Sequence, residues 1–427
     1  MFVVMGTDRL SAVDAAFLRI DRPEQRMHLG VVVVVDGPAP PLPELRDLIG
    51  TRAPDRLRRV VRDRPLQRPV WQEVALDVAA HVRHRACASA HVTVSENRLQ
   101  QAVADAFARP LPRDQPLWSA DVVTGLDPTG ADGRWALILR AQHALVDGLG
   151  GMRALLDLLD PDPPGTGGHV PPPGTGRSNA AVPWRRRAAA VLNLGRTVGV
   201  PERTLSGPLS GHRSWRVVRG ELAVAKRLAH ELDATVNDVL LALAAGGVRD
   251  LLLARGLDPT AQPVRSLVPV SLRSEDPAAP GNVLTGVVTA LPVAEPDLFA
   301  RVRALTQELT ALKEQDAGAG ALGVISVFDH LPEPVAGVTE LGLSHLPRGW
   351  VGTATTNVPG PSHQLRLAGR PVREMFPVVP IGQWMRLSIA SLSYDGALHS
   401  GITADAVHVP DVDVVADGMR QGWRMLS

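Results

Sequence analysis

Trp135-Ala136-Leu137-Ile138-Leu139-Arg140-Ala141-Gln142-His143-Ala144-Leu145-Val146-Asp147-Gly148 is the stretch on which the reading turns. Its first five residues are apolar and bulky, the pattern of a buried strand. Gly148, Gly150 and Gly151 then let the backbone turn tightly, and Met152 to Leu159 carries apolar residues at helical spacing. His143 and Asp147 therefore stand at a strand-to-helix crossing, where a side chain can face a cavity while the scaffold holds its base. An imidazole there can take a proton from an alcohol or amine near neutral pH. Asp147 can fix the loop or orient the ring. The plainer alternative makes His143 a core histidine and Asp147 a turn residue.

Outward from this stretch, the chain alternates strand and helix patterns. Val31 to Val35 reads as a strand, Leu42 to Thr51 as a helix, and Val70 to Val74 as a strand. Leu99 to Phe107 reads as a helix, and Ala120 to Val123 as a strand. Ser11 to Asp14 has the pattern of a helix start, and Thr235-Val236-Asn237-Asp238 that of a capping box opening a buried helix to about Leu253. Further strands are expected over 266–270, 284–291, 350–356 and 387–392, and a helix over 298–313. The expected fold class is mixed α/β with much sheet. Residues 161–183, rich in proline and glycine, read as a linker between domains at 1–160 and 184–427.

Totals narrow the function classes. With 427 residues, two domains of ordinary size are expected. The formal charge of +1 gives no electrostatic case for nucleic acid. Arginine runs at Arg52 to Arg68 and Arg185 to Arg187 read as solvated faces, or as contacts for an anionic membrane or a coenzyme phosphate. The single cysteine, Cys87, fits a reducing cytoplasm. No apolar run reaches the ~20 residues of a spanning helix. Ser11, Ser271 and Ser362 lack a nucleophile elbow, and neither metal-ligand spacing nor a phosphate loop is visible, so no metal site is expected.

The Gln142 to Gly148 segment resembles the H-H-x-x-x-D-G signature of the coenzyme-A-dependent acyltransferase superfamily, with Gln142 in place of the first histidine. Other segments are similar to the bacterial wax ester synthase/acyl-CoA:diacylglycerol acyltransferases. They are Leu10 to Leu18 with Met27-His28-Leu29-Gly30, Pro116-Leu117-Trp118, Asn237-Asp238, Val268 to Arg273 with Gly281-Asn282, Thr356-Asn357-Val358-Pro359-Gly360-Pro361, and Ser393 to Gly396 with Thr403 to Asp405. They occur in the family's order over nearly the whole chain.

The resemblance implies two chloramphenicol-acetyltransferase-like domains with an active-site tunnel between them, and a C-terminal segment that pairs across the boundary. It implies acyl-CoA as a substrate with no bound cofactor, a long-chain alcohol or diacylglycerol as acceptor, and His143 as general base without an acyl-enzyme. Asp147 and Gly148 would shape the turn. Asn237, with Asp238, is an oxyanion candidate, against the plainer reading that Thr235 to Asp238 only caps a helix. Asn357 would line the channel or merely precede a rigid Pro359-Gly360 turn, and Pro116-Leu117-Trp118 would be a packing element by the site. Gln142 can hydrogen-bond but not titrate. Cytoplasmic location, with peripheral contact to a membrane or lipid droplet, is expected. A tailoring acyltransferase using a carrier-protein thioester, or a non-catalytic lipid binder, are the alternatives.

Overall fold

Five consecutive valines cannot all point to one side of a strand, so Val31 to Val35 require cover on both faces. The computed structural model, which describes residues 7–64, 67–85, 95–126, 133–145, 154–161, 204–272, 283–314, 351–382 and 384–426, provides it: all five are buried. The first half forms β1 (Thr7–Arg9), α1 (Ala12–Ile20), β2 (His28–Asp36), α2 (Leu42–Arg52), β3 (Arg59–Arg64), β4 (Gln67–Glu73), α3 (Val78–His81), β5 (Val82–His84), α4 (Ser95–Ala108), β6 (Trp118–Val123) and β7 (Arg134–Gln142). The second half opens with β8 (Arg213–Glu221), α5 (Leu222–Glu231), α6 (Val236–Ala254), β9 (Val264–Leu272), β10 (Val283–Leu291) and α7 (Leu298–Glu314). It closes with β11 (Thr353–Pro359), β12 (Arg366–Leu367), β13 (Arg370–Val378), β14 (Leu387–Tyr394), β15 (Ala397–Asp405) and α8 (Val412–Leu426).

Two six-stranded mixed sheets carry the fold, in the orders β12-β13-β2-β7-β6-β5 and β10-β9-β11-β14-β15-β8; β1-β4-β3 form a small third sheet. In the first sheet β2 and β7 are central. Val31, Val33 and Val35 pack with Leu137 and Leu139 on one face, toward Leu45 and Ile49 of α2. Val32 and Val34 pack with Ile138 on the other, against Val103 and Phe107 of α4 and against Trp215 and Val217 of β8. In the second sheet the buried helix α6 lies over β10 and β11, with α7 and α8 beside it. A Cβ at Gly247 of α6 would strike the Val415 carbonyl of α8, so glycine sets that close approach.

The halves interlock. Strand β13 belongs to the second half in sequence yet pairs with β2 of the first sheet, from Val378 opposite Gly30 to Val372 opposite Val35. The only tyrosine binds β14 to it, Tyr394 donating to the Val372 carbonyl at 2.9 Å. The C-terminal segment thus crosses between sheets as the resemblance implied. The 161–183 stretch, apart from its first residue, lies outside the described residues. One expectation is corrected: Asn357, Val358 and Pro359 continue β11, paired with Ser391 to Ser393, and the turn begins only at Gly360. The parallel ladder with β14 extends past the point where proline and glycine suggested a turn.

Candidate active site

β7 runs through the first sheet and ends on Gln142, so His143 leaves the sheet on the following turn. That turn is pinned on each side. The Gln142 amide donates to the Leu117 carbonyl at 2.9 Å, the His143 amide to the Met27 carbonyl at 2.8 Å, and the Leu145 amide to the Gln142 carbonyl at 2.9 Å. Gln142, 1% exposed, turns its Oε1 back to accept from the Ala144 amide. The amide side chain thereby closes a local turn that a backbone carbonyl would otherwise have to close.

The His143 ring lies flat on Phe17 of α1, with centroids 3.9 Å apart and planes 19° from parallel. Ser11 starts that helix, its side chain accepting from the Asp14 amide at 3.0 Å. Helix α1 and the turn share a cavity of about 440 Å³, lined by Asp14, by Ala144 and Leu145, and by Asp8, Arg9, Arg56, Arg59 and Trp71 of the small sheet and its approach. Charged groups dominate its lining, with Arg59 3.2 Å from Asp8; Ala144 and Leu145, the two residues that follow His143, line it, and His143 itself does not.

Pro116-Leu117-Trp118 braces this arrangement from below. Leu117 and Trp118 are buried; the Trp118 indole donates to the Leu57 carbonyl at 2.8 Å and stacks on His81 at 4.4 Å. The structure thus brings His143, Gln142 and the Pro116 to Trp118 segment together. Asp147 and Gly148 lie outside the described residues. Asn237 is half-buried in the first turn of α6, and Asn357 sits on β11; neither lines the cavity. Asp238 is engaged elsewhere: its carboxylate accepts from the Thr235 amide at 2.9 Å and from the Thr306 hydroxyl at 3.2 Å. Among the described residues, no group of three or more His, Cys, Asp or Glu could hold a metal ion.

Sequence reasoning passed over a buried polar group behind the turn. His28, 1% exposed, places Nε2 3.3 Å from Asp21, and Arg26 approaches the same carboxylate at 3.1 Å. Burial chiefly, with Arg140 and Arg26 adding to it, pushes the His28 imidazole down to about 4 although Asp21 opposes the shift. Arg140 is buried as well and serves the end of α4, donating to the carbonyls of Ala106 and Arg109. Phe17 and Arg59 were equally hidden, since only the folded chain brings α1 and the small sheet to the turn. The signal available was Met27-His28-Leu29-Gly30, where a polar residue opens an otherwise apolar strand.

Two mixed sheets, the first completed by a strand from the C-terminal half, with a histidine on the turn leaving a central strand, define the fold class of chloramphenicol-acetyltransferase-like and condensation-domain proteins. The first condensation domain of the calcium-dependent antibiotic synthetase has this fold, with a TM-score of 0.61 at 17% identity over 99% of this chain and 97% of that one. The wax ester synthase/diacylglycerol acyltransferase from Marinobacter aquaeolei VT8 superposes with a TM-score of 0.71 at 22% identity, over 98% of each chain. The family model for the wax ester synthase/diacylglycerol acyltransferase catalytic domain matches residues 10–194, and that for the WS/DGAT C-terminal domain matches residues 280–427. A relative from Mycobacterium tuberculosis (strain ATCC 25618 / H37Rv), named probable diacylglycerol O-acyltransferase tgs1, is 30% identical over 96% of this chain and 94% of its own. The chain belongs to the wax ester synthase/diacylglycerol acyltransferase family and is an acyltransferase.

Proposed function

We propose that the chain transfers a fatty acyl group from acyl-CoA to the hydroxyl of a long-chain alcohol or a diacylglycerol, with His143 as general base. The imidazole takes the hydroxyl proton as the oxygen attacks the thioester carbonyl. The tetrahedral oxyanion collapses, the C–S bond breaks, and the leaving sulfur takes the proton back from the imidazolium. An ester and free CoA result, with no acyl-enzyme and no bound cofactor. General-base assistance of this kind is worth ~10²–10⁴-fold. Asn237 and Asn357 are the side-chain amides offered to the oxyanion or the channel wall.

One observation carries this reading: His143 stands on the turn that leaves the central strand β7, its ring laid flat on Phe17, and the next two residues of that turn line a cavity. Such acceptors partition into lipid, so peripheral contact with the inner face of a membrane or with a lipid droplet belongs to the proposal. Among the described residues no helix is long and apolar enough to cross a membrane. The charged lining of the cavity favours a second reading, a tailoring acyltransferase for a polar acceptor fed by acyl-CoA or a carrier-protein thioester.

The test is thiol release with ester identification by mass spectrometry, over acyl-CoA chain lengths and a panel of alcohols, diacylglycerol and polar acceptors. Expected are ester and thiol in equal amounts, only with an apolar hydroxyl acceptor present, and an unchanged intact protein mass. Each methylene buried adds ~0.8 kcal/mol, so longer chains should be preferred. Transfer to polar acceptors alone would favour the second reading, and tight binding without thiol release would make the protein a non-catalytic lipid binder.

A further inference from the structure

Behind the His143 turn lies a line of buried polar side chains that the transfer chemistry does not touch. Gln142 ends β7 and His28 begins β2, and the two stand directly opposite in the antiparallel ladder. Opposite residues on one face of such a pair have Cβ atoms about 4.5–5.5 Å apart, within side-chain reach of each other. Both are 1% exposed. Each keeps one buried polar atom that has no partner among the described residues: Nε2 of Gln142 and Nδ1 of His28.

The chemistry of these two atoms is complementary. Gln142 spends its Oε1 on the Ala144 amide, so its Nε2 is the donor end. His28 directs Nε2 at the Asp21 carboxylate, 3.3 Å away, which favours the tautomer with the proton on Nε2. In that neutral ring Nδ1 is a lone-pair acceptor. The groups facing the ring are Asp21, Arg26 and Arg140, and burial among them keeps it uncharged. The two atoms are not bonded to each other in this structure, but a donor and an acceptor on opposite residues, both shut off from water, are costly apart and are relieved when a small side-chain movement pairs them.

We infer that His28 is a positioning residue for His143, acting through Gln142: Asp21 orients His28, His28 accepts from Gln142, and Gln142 holds the Ala144 amide and with it the turn that presents the base. Glutamine suits this place because one amide supplies the acceptor for Ala144 and the donor for His28 together and never titrates. The inference rests on His143 being the general base.

The experiment is steady-state thiol release by the full chain, comparing wild type with Gln142→Met, His28→Phe, the double variant, His28→Asn and His143→Ala, with Tm recorded for each. Asparagine places an amide oxygen close to where Nδ1 was, so it restores the acceptor. Gln142→Met and His28→Phe should each lower kcat at least tenfold with KM for acyl-CoA changed less than threefold. The double variant should be no worse than the poorer single, and His28→Asn should stay within threefold of wild type. Wild-type kcat in both single variants, additive losses, or His28→Asn as poor as His28→Phe would overturn the inference while leaving the base in place. If His143→Ala itself keeps more than a tenth of the activity, the base assignment fails and the positioning role goes with it. A readout needing no variant is the ¹⁵N spectrum of histidine-labelled protein at neutral pH. His28 should appear as the Nε2–H tautomer with a hydrogen-bonded Nδ1; an Nδ1–H tautomer would contradict the proposal.

Discussion

Among the described residues three histidines, His28, His399 and His81, are held neutral by burial, and they give the molecule an acid-side weakness. His28 and His399 are both pushed down to about 4, from an ordinary value of 6.5, with desolvation as the main cause in each. The unfolded chain takes up these protons as the pH falls through 6.5, and the folded chain refuses them until about pH 4. Stability is therefore fully present above pH 6.5 and declines from there toward pH 4, by roughly 3 kcal/mol for each ring. Asp21 and Asp405, held below the usual carboxylate value, add their own loss only at still lower pH. Thermal melts at steps between pH 8 and 4 should show a plateau and then a fall. His399→Gln should remove part of that fall, whereas a slope identical to wild type would show that His399 is not one of the groups responsible. At this scale the sequence was uneven. Gln142, His143 and Trp118 were legible because they sit in short, ordered patterns. Phe17 against His143, and Asp21 against His28, were not, because each contact exists only once two segments fold together.

Helix α6 raises a question at the scale of elements, since its start carries both a cap and the proposed oxyanion amide. The cap is complete: Thr235 accepts from the Asp238 amide at 3.2 Å, and Asp238 accepts from the Thr235 amide. Thr235→Ala should lower stability by about 1 kcal/mol, within the range for lost caps, and leave kcat within threefold. Asn237→Ala should do the reverse, with Tm nearly unchanged and kcat down by ~10²-fold, the lower end for an oxyanion donor. Equal effects of the two variants on kcat would place catalysis in the helix start as a whole and not in the amide. The capping box was readable because its spacing is local. Strand β13 was not: Pro371 and Pro377 argue against a strand, and its ladder with β2 shifts register between Val372 and Glu374. Helix α8 was passed over too, with Gly418 and Gly422 breaking its pattern; both glycines face α6, where a Cβ at Gly422 would meet Leu243.

In the whole molecule, two sheets are tied by a strand that the second half contributes to the first. Arg219 of β8 adds a polar tie, reaching Glu374 of β13 at 2.5 Å and Glu96 of α4 at 2.9 Å. The class of fold and the order of family segments were visible in the chain itself, since their conjunction spans nearly its full length. How the halves close on each other was not, because pairing across some 340 residues leaves no local trace. What this architecture serves is one imidazole, carried on the turn after β7 and laid against Phe17, where an acceptor and a thioester are proposed to meet. The most direct measurement is kcat for thiol release by His143→Ala beside wild type, with the acceptor saturating and folding confirmed by its melt. A loss of at least ~10²-fold is expected, in line with a missing general base. A folded variant that keeps more than a tenth of the wild-type rate would contradict the account.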